Sequence, residues 1–211
     1  MPDVSWAEGL STGAALFSAA AAGLALKISN SATKAAEAST TTAQAVAAIE
    51  RQRWHHDLTP QISATITEAG SDQANLRLTF EGPASLLRLD AVEISIRDDG
   101  YTHIPSTAGG PSQEDLDAHV WGPYRFKPGI DEASADGRSV PAVPVELGAW
   151  RQLLLERTRP PLWQGPNSDG YWRSQYDGAP VRLWVRCRRE GHEPWLLTLN
   201  VPVRDVPPQG D

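Results

Sequence analysis

The chain has 211 residues, eight of them tryptophan, and a formal net charge of −7. That length holds one ordinary domain plus an appendage, and about 150 residues suffice for a core without disulfides or metal. The single cysteine, Cys187, excludes an intramolecular disulfide, and an acidic chain whose largest basic cluster is Arg186-Cys187-Arg188-Arg189 lacks the electrostatic footprint of a nucleic-acid binder.

Residues 1–57 read as a helical arm. Ser5-Trp6-Ala7-Glu8 matches a capping box, no proline occurs between Pro2 and Pro60, and no glycine between Gly23 and Gly70. Within the arm, residues 9–26 carry no charge. Such a run spans about 27 Å at 1.5 Å per residue, close to a hydrocarbon core. It is the candidate transmembrane segment and the expected contact with a lipid bilayer. Lys27, Lys34, Arg51 and Arg53 follow it and no base precedes it. The positive-inside rule then makes this a single-pass membrane protein with its C-terminal domain in the cytoplasm. Two other readings stay open: a soluble helix packed on a partner, and a secretory signal, which Asp3 and Glu8 oppose. Residues 27–57 form a polar helical spacer. A faint heptad, Ile28, Ala32, Ala35, Ser39, Thr42, Val46 and Ile49, would support at most a weak homo-oligomer.

Residues 58–211 read as mainly β: an immunoglobulin-like β-sandwich ending in a short disordered tail. Ile62, Ala64 and Ile66 alternate with polar residues, as do Leu76, Leu78 and Phe80. Gly82-Pro83 is a turn. Leu87 and Leu89, then Val92, Ile94 and Ile96, lead to Asp98-Asp99-Gly100, a hairpin-type signal. Three further strands are expected over Trp121–Phe126, Val140–Val145 and Trp150–Glu156. Ser112-Gln113-Glu114-Asp115 and Ser168-Asp169-Gly170-Tyr171 look like starts of short helices. Val181, Leu183, Val185 and Cys187 face the core, and pairing Cys187 with Trp195 brings Leu197, Leu199 and Val201 to the same face. About seven short strands with frequent turns favour the sandwich.

The sequence carries no cofactor or metal motif and no phosphate loop. Gly9-Leu10-Ser11-Thr12-Gly13 matches G-x-S-x-G but lies in the arm, without the strand that a nucleophile elbow needs. His55-His56-Asp57 reads as a solvated helix end, and Asp131-Glu132-Ala133-Ser134-Ala135-Asp136-Gly137 as an exposed acidic loop. Glu190-Gly191-His192-Glu193 reads as a hairpin tip. The chain is therefore not expected to be an enzyme. The rival is a hydrolase with a loop-built site drawing on His103, Asp115 and His119. The candidate interaction surface is Arg182, Trp184, Arg186 and Arg188, which alternation turns away from the core, together with Trp163 and Trp172, because tryptophan and arginine dominate binding hot spots. The alternative is a closed stack in which Arg182 and Arg186 cover Trp184. A second aromatic group, Trp163, Tyr171, Trp172 and Tyr176, would cap one end of the sandwich or line a groove. The partner expected is an unidentified protein. The other alternative is an exported carbohydrate- or envelope-binding module whose tryptophans stack on sugars.

Three segments, Trp54-His55-His56-Asp57-Leu58-Thr59-Pro60, Trp121-Gly122-Pro123-Tyr124-Arg125-Phe126 and Arg189-Glu190-Gly191-His192-Glu193-Pro194-Trp195, carry a resemblance. In them the chain resembles a group of uncharacterised actinobacterial proteins with an N-terminal helical anchor and a Trp-rich immunoglobulin-like β-domain. The resemblance implies an anchored β-domain and no catalytic or binding residue.

Overall fold

The computed structural model describes residues 34, 36–68, 72–105 and 109–204. The chain divides into two units, Met1–His56 and Asp57–Asp211. Residues 36–57 form helix α1, about 33 Å long by its rise per residue. The hydroxyls of Thr40, Thr41 and Thr42 donate to the carbonyls four residues earlier, which reconciles a threonine run with a helix. The heptad positions Ser39, Thr42, Val46 and Ile49 are exposed. The uncharged run 9–26, the G-x-S-x-G match, the Ser5 capping box and heptad positions Ile28, Ala32 and Ala35 lie outside the described residues, as does the tail 205–211. Among the described residues no helix is long and apolar enough to cross a membrane.

The second unit is mainly β. Its strands are β1 (Gln61–Glu68), β2 (Gln73–Gly82), β3 (Arg88–Ile96), β4 (Tyr124–Phe126), β5 (Ser139–Glu146), β6 (Trp150–Arg157), β7 (Val181–Arg188), β8 (Trp195–Val201) and β9 (Val203–Arg204). Helix α2 (Gln113–Ala118) precedes β4, and α3 (Asp169–Tyr176) precedes β7. One sheet runs β4-β6-β2-β1, antiparallel throughout, with β9 added parallel to β1. The other runs β5-β3-β7-β8, also antiparallel. Inner-face residues of both sheets share one core: Leu76, Phe80, Leu153 and Leu155 from the first, Leu89, Ile94, Leu183 and Val185 from the second. Each such side chain contributes about 1.5–3 kcal/mol by leaving water.

The expected register of the last hairpin holds: Cys187 pairs with Trp195, Val185 with Leu197 and Leu183 with Leu199. Burial pushes the Cys187 thiol up to about 12, so it acts as an apolar core residue and not as a nucleophile. Both short helices start where expected. Ser112 Oγ accepts from the Asp115 N–H while the Asp115 carboxylate accepts from the Ser112 N–H, completing a capping box, and α3 begins after Ser168.

Three expectations need correction. Leu87 is exposed with φ 43°, and only Leu89 enters the core. The apolar series changes from odd to even positions between Leu89 and Val92, and the strand accommodates this with a register shift there. Asp98-Asp99-Gly100 does not turn a hairpin. It starts the long connection from β3 to β4 in the other sheet, because both aspartates are committed to side-chain bonds. The strand expected over Trp121–Phe126 shrinks to Tyr124–Phe126, since Trp121 is held by the connection instead.

The acidic loop 131–137 closes through Gly137. Its φ is +71°, and a Cβ there would lie 2.4 Å from the Phe126 carbonyl oxygen and 2.9 Å from Arg125 Cδ. Gly148 has a similar φ, +79°, but open space around it. Gly137→Ala is therefore expected to cost at least about 2 kcal/mol and Gly148→Ala about 1 kcal/mol, read from urea unfolding midpoints. Equal losses would mean that the close approach to Phe126 is not a constraint.

Candidate functional site

The connection after β3 is fastened by two adjacent aspartates. Asp98 accepts the Trp121 N–H at 2.9 Å and the Arg138 guanidinium at 2.8 Å. Asp99 is 8% exposed, and its N–H donates to the Trp121 carbonyl at 2.8 Å. Its carboxylate accepts the Tyr176 hydroxyl at 2.5 Å, lies 2.8 Å from His103 Nε2, and accepts the Tyr101 N–H at 3.2 Å. A buried carboxylate is tolerable only when its lone pairs are used in this way. Burial, and then the hydrogen bond to Asp99, push the Tyr176 phenol well above its ordinary range. It therefore stays a donor.

These bonds hold an aromatic cap. Leu116, Trp121, Trp172 and Tyr176 form a second core cluster. The His103 ring stacks on Trp121 with centroids 3.6 Å apart, and Trp121 Nε1 donates to the Leu116 carbonyl at 2.9 Å. Trp172 Nε1 donates to Thr158 Oγ1 at 3.1 Å, and that hydroxyl donates to the Gly122 carbonyl. His119 meets Trp121, Trp172 and Trp163 edge-on, at centroid distances of 5.0, 5.2 and 5.9 Å. The backbone that carries it is fixed as well, because Arg138 donates to the carbonyls of Asp117 and of His119 itself.

Beside the cap lies a groove of about 910 Å³ lined by His119, Val120, Arg125, Arg157, Arg159, Pro161, Leu162 and Trp163, among others. Arg125 is paired with Glu156 at 2.7 Å and Arg157 with Asp177 at 2.5 Å. The chain leaves β6 through Pro160 and Pro161, which stiffen the exit, into a 3₁₀ turn at Leu162–Gln164. Leu162 is 98% exposed and Trp163 42% exposed on that turn. A large aliphatic side chain left almost wholly in water next to a half-covered tryptophan is the kind of patch that marks a binding edge.

The structure separates the residues singled out in the sequence. Arg182, Trp184, Arg186 and Arg188 do share the outer face of the second sheet, opposite Leu196, Thr198 and Asn200. The cation over Trp184, however, is Arg97, with its guanidinium carbon 5.2 Å from the ring centroid. Arg186 instead approaches Glu93 at 3.8 Å. Same-strand arginines stand about 7 Å away along the strand, whereas Arg97 reaches across from the neighbouring one. Trp163 lines the groove. Trp172 is 3% exposed and belongs to the cap, so it offers no surface to a partner. Of His103, Asp115 and His119, the two histidines flank Trp121, while Asp115 caps α2. Its hydrogen bonds from Ser112 hold the Asp115 carboxyl below the usual carboxylate range. Arg97, Asp99, Arg138, Thr158 and Leu162 were not singled out. Pro160-Pro161 before Leu162 was the one legible signal, a stiff segment ending in two large apolar residues. Among the described residues no three His, Cys, Asp or Glu side chains gather as a metal site.

Fold and site define a two-sheet β-domain with a rigid aromatic cap and a groove at one end. No protein-family model matches the chain, and no curated protein or solved structure does.

Burial, together with the charge of Arg125, brings His119 down from 6.5 to about 4, against a smaller opposite pull from Asp98. Between these values the unfolded chain binds a proton that the native one does not. The contribution of neutral His119 is complete above pH 6.5 and is lost as pH falls toward 4. The ring is partly solvent-facing, so screening reduces the effect to roughly 1–2 kcal/mol. Urea midpoints measured across this window are expected to fall less steeply for His119→Gln than for the wild type. Parallel profiles would show that His119 takes up its proton as readily in the native state as in the unfolded one.

Proposed function

We propose that the β-domain is a protein-binding module that takes a segment of its partner in the groove beside the aromatic cap. The observation that carries this reading is the exposed pair Leu162 and Trp163 on a stiffened turn at the mouth of a groove of about 910 Å³. Rigid aromatic and aliphatic anchors with nearby arginines supply most of the energy in protein interfaces. Arg159 stands exposed on the same segment and makes no ion pair among the described residues. The cap holds its own side chains in internal bonds, which favours binding over chemistry. Thr158 and Tyr176 hydroxyls and the Asp99 carboxylate all have partners already.

Two further parts belong to the same proposal. The fold is immunoglobulin-like: β1-β2-β6-β4 and β3-β7-β8 follow the neighbour order of the two sheets of that fold. Its departure is that β4 precedes β5 in the chain yet lies in the opposite sheet. The arm tethers the module to a membrane through residues 9–26, with the β-domain on the cytoplasmic side. The uncharged run and the four bases after it support this.

One cellular experiment examines module and tether together. A photo-crosslinking residue placed at Leu162 is expected to capture a discrete protein partner from the carbonate-resistant membrane fraction, and the same residue at exposed Glu81 is not. Trp163→Ala is expected to weaken that partner by roughly 2 kcal/mol, about thirtyfold, with an unchanged melting temperature. Equal capture at both positions, or recovery wholly in the soluble fraction, would refute the groove or the tether respectively.

A further inference from the structure

Arg97 and Arg182 stand directly opposite each other on neighbouring antiparallel segments, with the Arg97 N–H donating to the Arg182 carbonyl at 2.8 Å. The adjoining pairs Ile96–Leu183 and Ser95–Trp184 place both guanidiniums on the outer face, beside Trp184. Like charges in directly opposed positions destabilise a sheet. Arg97 is satisfied on one side only: its Nη2 donates to Asn200 Oδ1 at 2.8 Å, while its Nε is buried without a hydrogen-bond partner among the described residues. A cavity of about 520 Å³ opens at this point, walled by Arg97, Arg182, Trp184 and Arg138 together with Asp98 and Asp99. Both carboxylates are already committed, Asp98 to Arg138 and the Trp121 N–H, Asp99 to Tyr176, His103 and the Tyr101 N–H. Three arginines against two aspartates leave positive charge over, in a chain whose net charge is −7.

We propose that this cavity binds a carboxylate presented by an extended acidic segment of a protein, with the Arg182 guanidinium as donor, Arg97 adding its charge beside it and the Trp184 ring as floor. One surplus positive charge matches a monoanionic carboxylate better than a phosphate dianion. Arg186, shared with Glu93, and Arg188 continue the outer row of β7 at two-residue spacing, about 7 Å per step, which is the spacing of acidic residues at alternate positions of an extended chain. Bidentate guanidinium–carboxylate contacts are among the stronger charge-assisted hydrogen bonds. The site lies on a different face from the groove and does not depend on that reading.

The test uses the full-length protein in nonionic detergent and a capped Glu-Ser-Glu-Ser-Glu peptide, with Gln-Ser-Gln-Ser-Gln as control. The readout is the Trp184 indole N–H resonance, assigned with Trp184→Phe. The Glu peptide is expected to move that resonance saturably, and the Gln peptide to leave it in place. Arg182→Glu is expected to weaken binding at least about tenfold, since it removes one donor and repels the ligand. The same substitution is expected to raise the melting temperature of the ligand-free protein by about 1–4 °C at low ionic strength, because it ends an unfavourable cross-strand pair. Leu162→Asp is expected to leave the titration unchanged, which separates this site from the groove. Three results would overturn the proposal: equal binding of the Gln peptide, a lower melting temperature with unaltered binding in Arg182→Glu, or an equal response to inorganic phosphate or to anionic lipid vesicles.

Discussion

The hydrogen bond from the Tyr176 hydroxyl to the Asp99 carboxylate extends the β3–β7 pairing past its end, tying the connection out of β3 to the helix that precedes β7. Asp99 begins the connection out of β3, and Tyr176 ends α3, seventy-seven residues later. A nearly buried carboxylate without donors would cost several kcal/mol. With Tyr176, His103 and the Tyr101 N–H in place it becomes an anchor. From it follow the position of Trp121, the packing of Trp172 against Thr158, and the seat of His119 between three indole rings. The groove has one firm wall because of this cap, and Leu162 and Trp163 project from a rim that the cap helps to hold.

Most of the sheet structure was legible in the sequence because local pattern and long-range packing agree there. Odd-numbered apolar residues from Val181 to Cys187 and from Trp195 to Val201 meet the core together only when odd positions pair with odd, and the Cys187–Trp195 pairing expected on that ground is found. The Ser-x-x-Asp spacing at Ser112 found its helix for the same reason: the cap is made within four residues. Where a side chain takes a partner from far along the chain, local pattern misleads. Asp98-Asp99-Gly100 has hairpin composition, yet its carboxylates bond to Trp121, Arg138, His103 and Tyr176. Such commitments have no signature in composition or period.

The candidate surfaces show the same division. Alternation correctly turned Arg182, Trp184, Arg186 and Arg188 to one face. It gave no means of seeing Arg97 arrive over Trp184 from another strand, nor the opposition of Arg97 and Arg182. Trp163 and Trp172 look alike as loop tryptophans nine residues apart. One faces the groove and the other fills the cap, because Thr158 offers Trp172 a buried acceptor and no comparable acceptor holds Trp163 among the described residues.

The dependence of the groove on the Asp99–Tyr176 bond is measurable by a double-mutant cycle with Asp99→Asn and Tyr176→Phe, in urea unfolding and in the indole and imidazole resonances of Trp163 and His119. The expected result is a coupling energy of about 1–3 kcal/mol, with both resonances displaced in each single variant and amide protection in β7 and β8 preserved. Additive losses of stability, with Trp163 and His119 unmoved, would contradict the view that this bond organises the cap and the groove.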